Sequence, residues 1–364
     1  MYAKRSAARS VRASPAHISF ASTPLRNAFP GYFALVMATG IVSIALADQG
    51  FAAAAWTLFA IDAIAYVLLW GCGFARLAAG VRDVVGDLAD HRAGPAFLTI
   101  VAGTGVLGVQ CVRLAQWPIV AAALWLASVA LWFLLLYGFF AAVTLAEAKP
   151  RLEHGIDGSW LLATVATEAV AVLGTLVADA FPRPDAVVFA SLMLFLAGAM
   201  LYIVVIGLIF FRWTFRPMDV HGMTPTYWIN MGAVAITTLA GAQIGEVAAR
   251  YPFVAELEHF VAGFTLFFWA TGTWWIPLLV VVFAWRHLRH GEGLRYDPRY
   301  WSLVFPLGMY SVATYAYAHA NKLSFLMPVA RIAGDLAVVA WVLTAIGLLR
   351  QLPVLRARRA TSRT

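Results

Sequence analysis

Apolar residues run on along most of the chain without the alternation of a half-buried strand, and polar residues gather between the runs. Ten apolar segments stand out: 29–47, 52–75, 95–113, 118–145, 158–180, 186–211, 227–248, 258–286, 300–319 and 325–350. Each is near the ~20 residues that cross about 30 Å of hydrocarbon as a helix. Lipid offers a backbone no hydrogen bonds, so spanning segments bond within themselves as helices or close into a barrel. Long runs without period-two alternation predict helices. The expected fold class is an all-α polytopic membrane protein with ten transmembrane helices. The longest loop covers residues 76–94, so neighbours in sequence should pack as antiparallel hairpins. The expected organisation is a tail at 1–28, a membrane domain at 29–350 and a basic tail at 351–364.

Composition strengthens this picture. The 364 residues are 62% hydrophobic and only 12% charged, whereas soluble domains carry roughly 25% charged residues. A net charge of +8 does not indicate a nucleic-acid partner, because the basic residues sit at the ends of apolar runs. All but five of the 26 Lys and Arg lie in the N-terminal tail, in the loops after even segments, or at the C-terminal end. The exceptions are Arg113, Arg183, Arg250, Lys322 and, inside a segment, Arg331. The positive-inside rule then places both termini in the cytoplasm of a cell (inner or plasma) membrane, and an even number of spans agrees. The first apolar run reads as a signal anchor rather than a cleaved signal.

The segments are not alike. Odd ones carry glycine and threonine, as in ATGIVS (38–43), VAGTGVLG (101–108), TVATEAVAVLGT (164–175) and GAVAITTLAGA (232–242). Even ones are bulkier, as in LWLASVALWFLLLYGFF (124–140). Small residues let helices approach closely; they also suit helices that line a cavity.

Few ionisable groups fall within the runs, so each is a candidate. Arg331 and Asp335, at i and i+4, form an expected structural ion pair. Asp62 is expected to meet a hydroxyl or backbone group, or to orient a neighbouring span. Glu168, flanked by Thr164, Thr167 and Thr175, has two readings: a proton-coupling carboxylate, or a bond to a neighbouring helix. Cys72 and Cys111 lack metal or redox spacing. The eight histidines lie in tails, loops or segment ends, and no catalytic motif is present. No metal or cofactor is expected, and a membrane-embedded redox enzyme is the alternative that this lack disfavours.

In YWSLVFPLGMYSVATYAYAHA (300–320), Pro306 removes an N–H and leaves the Ser302 carbonyl without its helical partner. The pattern alone leaves two readings of Phe305: a packing aromatic beside a kink, or a ring aimed into a pore.

FPGYFALVMATGIVSIAL (29–46), PTYWINMGAVAITTLAGA (225–242) and FWATGTWWIPLL (268–279) resemble the tellurite-resistance/dicarboxylate transporter family. That family includes the fungal malate permease, the sulfite efflux pump and plant slow anion channels. The resemblance covers about residues 29 to 347. It implies five hairpins around a quasi-five-fold central pore, odd helices inside, and a homotrimer with a pore in each protomer. It implies that Phe305, beside Pro306, plugs the pore. It implies an anionic small-molecule or inorganic substrate, either a C4-dicarboxylate such as malate or a small anion such as chloride, nitrate or sulfite. Membrane lipid is the other expected partner. Thr39, Gly40, Ser43, Thr99, Gly103, Thr104, Gly105, Thr164, Thr167, Thr237, Thr238, Ser311 and Thr314 are the candidate pore-lining residues. Each hydroxyl has a competing role in back-bonding to its own helix.

Overall fold

The computed structural model describes residues 30–217, 222–289 and 296–361. The expected tail at 1–28 lies outside the described residues. Ten principal helices follow in order: α1 (Phe33–Asp48), α2 (Ala52–Ala79), α3 (Leu98–Arg113), α4 (Pro118–Leu145), α5 (Leu162–Val177), α6 (Pro184–Phe215), α7 (Ile229–Glu246), α8 (Glu258–Ala284), α9 (Trp301–Ala320) and α10 (Met327–Thr361). Among the described residues, eight helical segments are long and apolar enough to cross a membrane by length and composition. The other two principal helices are α1, shorter at 16 residues, and α9, which runs unbroken through Pro306. The 76–94 loop also holds a short helix, Val81–Leu88, that the apolar pattern did not announce.

Burial divides the helices into two sets. Around α3, α5 and α7, 89% to 94% of the apolar window is buried, against 17% to 39% for α2, α4, α6, α8 and α10. α1 and α9 are buried along most of their length too. The odd helices touch in a closed circuit: α1 on α3, α3 on α5, α5 on α7, α7 on α9, and α9 back on α1. Each even helix packs on the odd helix before it. Its other face is apolar and exposed, with Phe133, Leu134, Val281 and Ile332 among the outward side chains. A helix apolar all round fits a lipid environment outside and protein inside.

Each odd helix is entered through a short 3-10 turn: Pro30–Tyr32, Gly94–Phe97, Gly158–Leu161, Pro225–Trp228 and Pro298–Tyr300. Proline suits a first turn, because its fixed φ is helical and its missing N–H needs no partner there. Asp157 and Asp297 cap two of the turns by accepting from the backbone N–H of Ser159 and Arg299. The five turns also touch in a closed circuit. All five inner helices therefore present their N-termini at one end of the bundle, around one axis.

Candidate functional site

A narrow cavity of about 10 Å³ lies among the five inner helices, the room of roughly one water molecule. Every one of them contributes a pair of lining residues three positions apart: Ile41 and Ile44, Val106 and Val109, Ala169 and Val172, Ile236 and Leu239, Met309 and Val312. The lining is thus two stacked aliphatic layers. Positions i, i+4 and i+7 share a helix face, so the same stripe extends one turn back to Met37, Ala102, Val165, Gly232 and Phe305. In that layer one helix supplies a phenylalanine, one a methionine, and three supply alanine, valine or glycine. Phe305 is 1% exposed. Gly232 matters sterically, since a Cβ there would lie 2.7 Å from Cγ of Pro306. Its absence lets α9 close on α7 beside the Phe305 ring.

One turn forward, the stripe reaches Asp48, Arg113, Leu176, Gln243 and Ala316. Arg113 and Gln243 line the cavity, and Arg113 pairs with Asp48. In the charge pattern Arg113 is only an exception to the positive-inside distribution; the structure places it at this mouth. The signal was available in its register, four residues after Val109.

The hydroxyls lie elsewhere. Trp341 Nε1 donates to Thr39 at 3.0 Å, Trp132 Nε1 to Thr167 at 2.8 Å and Trp269 Nε1 to Thr314 at 3.0 Å. The Tyr66 hydroxyl meets Thr104 at 3.0 Å, and Tyr202 donates to the Asn230 carbonyl at 3.1 Å. Each outer helix therefore reaches the next inner helix through an aromatic polar group. Ser43 donates to the Ala55 carbonyl and Ser311 to the Ala330 carbonyl, both at 2.7 Å. Thr99 and Thr238 back-bond within their own segments. Thr164 is fully buried, and its hydroxyl has no hydrogen-bond partner among the described residues. Of the glycines singled out, Gly105 lines the cavity. Gly103 faces Val36 of α1, and Gly40 faces Val106, Asp62 and Gln110.

Glu168 is fully buried behind the lining residue Ala169. Its Oε1 accepts from Thr237 at 3.2 Å, and its Oε2 has no partner among the described residues. Gly198 of α6 leaves room for it, since a Cβ there would stand 2.8 Å from the Glu168 Cδ. Asp62 is equally buried, and among the described residues neither its carboxylate oxygens nor the side chain of the neighbouring Gln110 has a hydrogen-bond partner. Arg331 and Asp335 lie one turn apart on the exposed face of α10, and they are not among the ion pairs within 4.0 Å. Arg331 is only four residues into α10, where a long side chain can reach the membrane edge. Among the described residues, no group of three or more His, Cys, Asp or Glu is placed to hold a metal ion.

A sequence model of a family described as "SLAC1: Voltage-dependent anion channel" matches residues 27–349. An uncharacterized membrane protein of Mycobacterium tuberculosis is 40% identical over 152 residues, covering 42% of this chain and 77% of the relative. Two uncharacterized transporters of Methanocaldococcus jannaschii are similar over a longer stretch. One is 22% identical over 83% of this chain and 87% of its own, and the other 21% identical over 80% and 85%.

Proposed function

The chain belongs to the voltage-dependent anion channel family, SLAC1, and from that premise we propose that it conducts small monovalent anions along the axis of the inner ring. The observation that carries this is the cavity itself: all five inner helices line it, each with the same pair of positions. Five helix N-termini gathered at one end supply positive potential without a fixed cation. An aliphatic wall binds an anion weakly, which suits passage. The same wall favours a single charge, because a dicarboxylate such as malate has two charges to desolvate. Phe305, with Pro306 behind it, is the plug. Ten helices in five hairpins around a quasi-five-fold pore, assembled as a trimer with both termini cytoplasmic, is the architecture proposed. Belonging to a family of channels and transporters speaks against catalysis.

A second reading is proton-coupled carriage of a dicarboxylate. It rests on Glu168, a buried carboxylate with one free oxygen directly behind a lining residue. One experiment separates the two. Purified protein in liposomes is given chloride, nitrate or malate under a pH gradient. Conduction predicts chloride and nitrate currents whose reversal potential follows the anion gradient alone. Malate uptake accompanied by proton movement, and made insensitive to the pH gradient by Glu168→Gln, would establish the carrier instead.

A further inference from the structure

Within the conduction reading, we propose that Arg113 is the anion-capture residue at the mouth opposite the five N-termini, and that Asp48 limits how much of its charge an incoming anion meets. Among the residues lining the cavity, Arg113 is the charged one. It closes the stripe that begins with Ala102, Val106 and Val109, so its side chain leaves the last aliphatic layer directly for the mouth.

The pair is asymmetric. The Asp48 side chain is 5% exposed and that of Arg113 33%. The carboxylate is therefore the fixed partner, and the guanidinium is the group that solvent and solute can reach. Two of the guanidinium nitrogens face Asp48, with Nη1 at 3.5 Å from Oδ2. A guanidinium carries five N–H donors, so this contact leaves donors for an anion. Gln243 lines the same mouth from α7; its amide atom without a partner among the described residues is the oxygen, an acceptor that offers an anion nothing. Glu246, three residues further along α7, lies within electrostatic reach of Arg113, and His319 sits 4.0 Å from Glu246. The mouth thus holds one arginine against two carboxylates. An anion must compete with Asp48 for it, which makes capture weak and reversible.

The test is chloride flux in liposomes with the full-length protein, compared at low and high ionic strength. Arg113→Gln should lower flux about tenfold near 10 mM salt, the lower end of what charge focusing supplies. The deficit should shrink to about twofold near 1 M salt, where the Debye length falls from about 30 Å to about 3 Å. Arg113→Lys, which keeps the charge, should stay within about twofold of the parent at both. Asp48→Asn should raise low-salt flux about twofold to threefold. A single Arg113 substitution leaves Asp48 without its counter-charge, so the double variant Asp48→Asn/Arg113→Gln guards against misfolding. It should behave like Arg113→Gln. Flux in Arg113→Gln equal to the parent at low salt, or a deficit that persists unchanged at high salt, overturns the proposal. No chloride flux in any variant, Phe305→Ala included, overturns the conduction reading on which it rests.

Discussion

The two faces of the inner ring differ in kind. The face toward the axis is aliphatic through two layers, from Ile41 and Ala169 to Leu239 and Val312. The face toward the outer helices holds hydroxyls and a buried carboxylate, Thr39, Thr104, Thr167, Thr314 and Glu168, and α2 of the outer ring turns its own buried carboxylate, Asp62, inward. In lipid, helices gain little from hydrophobic contact with one another, so packing and interhelical hydrogen bonds hold them together. The polar side chains are spent on joining the two rings. The axis is left nearly free of fixed partners, and on the proposed reading it is controlled by size at Phe305 and by charge at Arg113.

That contrast can be broken most directly at Phe305. Phe305→Ala should raise basal chloride flux at least about tenfold, equivalent to removing about 1.4 kcal/mol from the barrier. Liposome flux normalised to folded protein measures it, and unchanged flux would remove Phe305 as the plug. The next effect is on stability. Gly198→Ala places a methyl group against the Glu168 carboxylate. It should cost about 1–3 kcal/mol, as overpacking does, lowering the thermal midpoint in detergent. Flux per folded molecule should stay as in the parent. A stable Gly198→Ala protein would mean that α6 can shift away from α5.

Smaller effects sharpen the comparison. Trp132→Phe removes the donor to Thr167; such bonds between membrane helices average about 0.6 kcal/mol. The thermal midpoint should fall slightly while anion selectivity stays unchanged. An altered selectivity would place Thr167 on the conduction path after all. The smallest change expected is from Val172→Thr, which is close in volume but adds a hydroxyl to the lining. It should alter flux less than about threefold through added hydration. The same substitution at Val165, in the Phe305 layer, should matter more.

Much of the ring assignment was legible. The glycine- and threonine-rich runs and the bulky runs alternate, and they correspond to the buried and exposed helices. The segment 118–145 has the observed bounds of α4, and 258–286 comes within two residues of α8. The direction of the hydroxyls was not legible. A threonine on a helix marks closeness to something polar, and only the position of Trp132 or Trp341 says that the something is an outer helix. Arg113 was hidden for a related reason. As the last residue of an apolar run it resembles a topology marker, and its place at the cavity mouth follows from four other helices ending at the same level.

The sequence by itself determined that this is a multi-pass helical membrane protein, because no other structure satisfies the backbone of so many long apolar runs. It also carried the stripe of positions spaced four, three and four apart on each odd helix. Tertiary structure decided which side of each inner helix faces the axis. In these helices both sides are small or apolar, so their own sequence does not say which way they turn. The choice is made by the indoles and tyrosines of the outer ring, which draw the polar side outward and leave the aliphatic side to line the cavity.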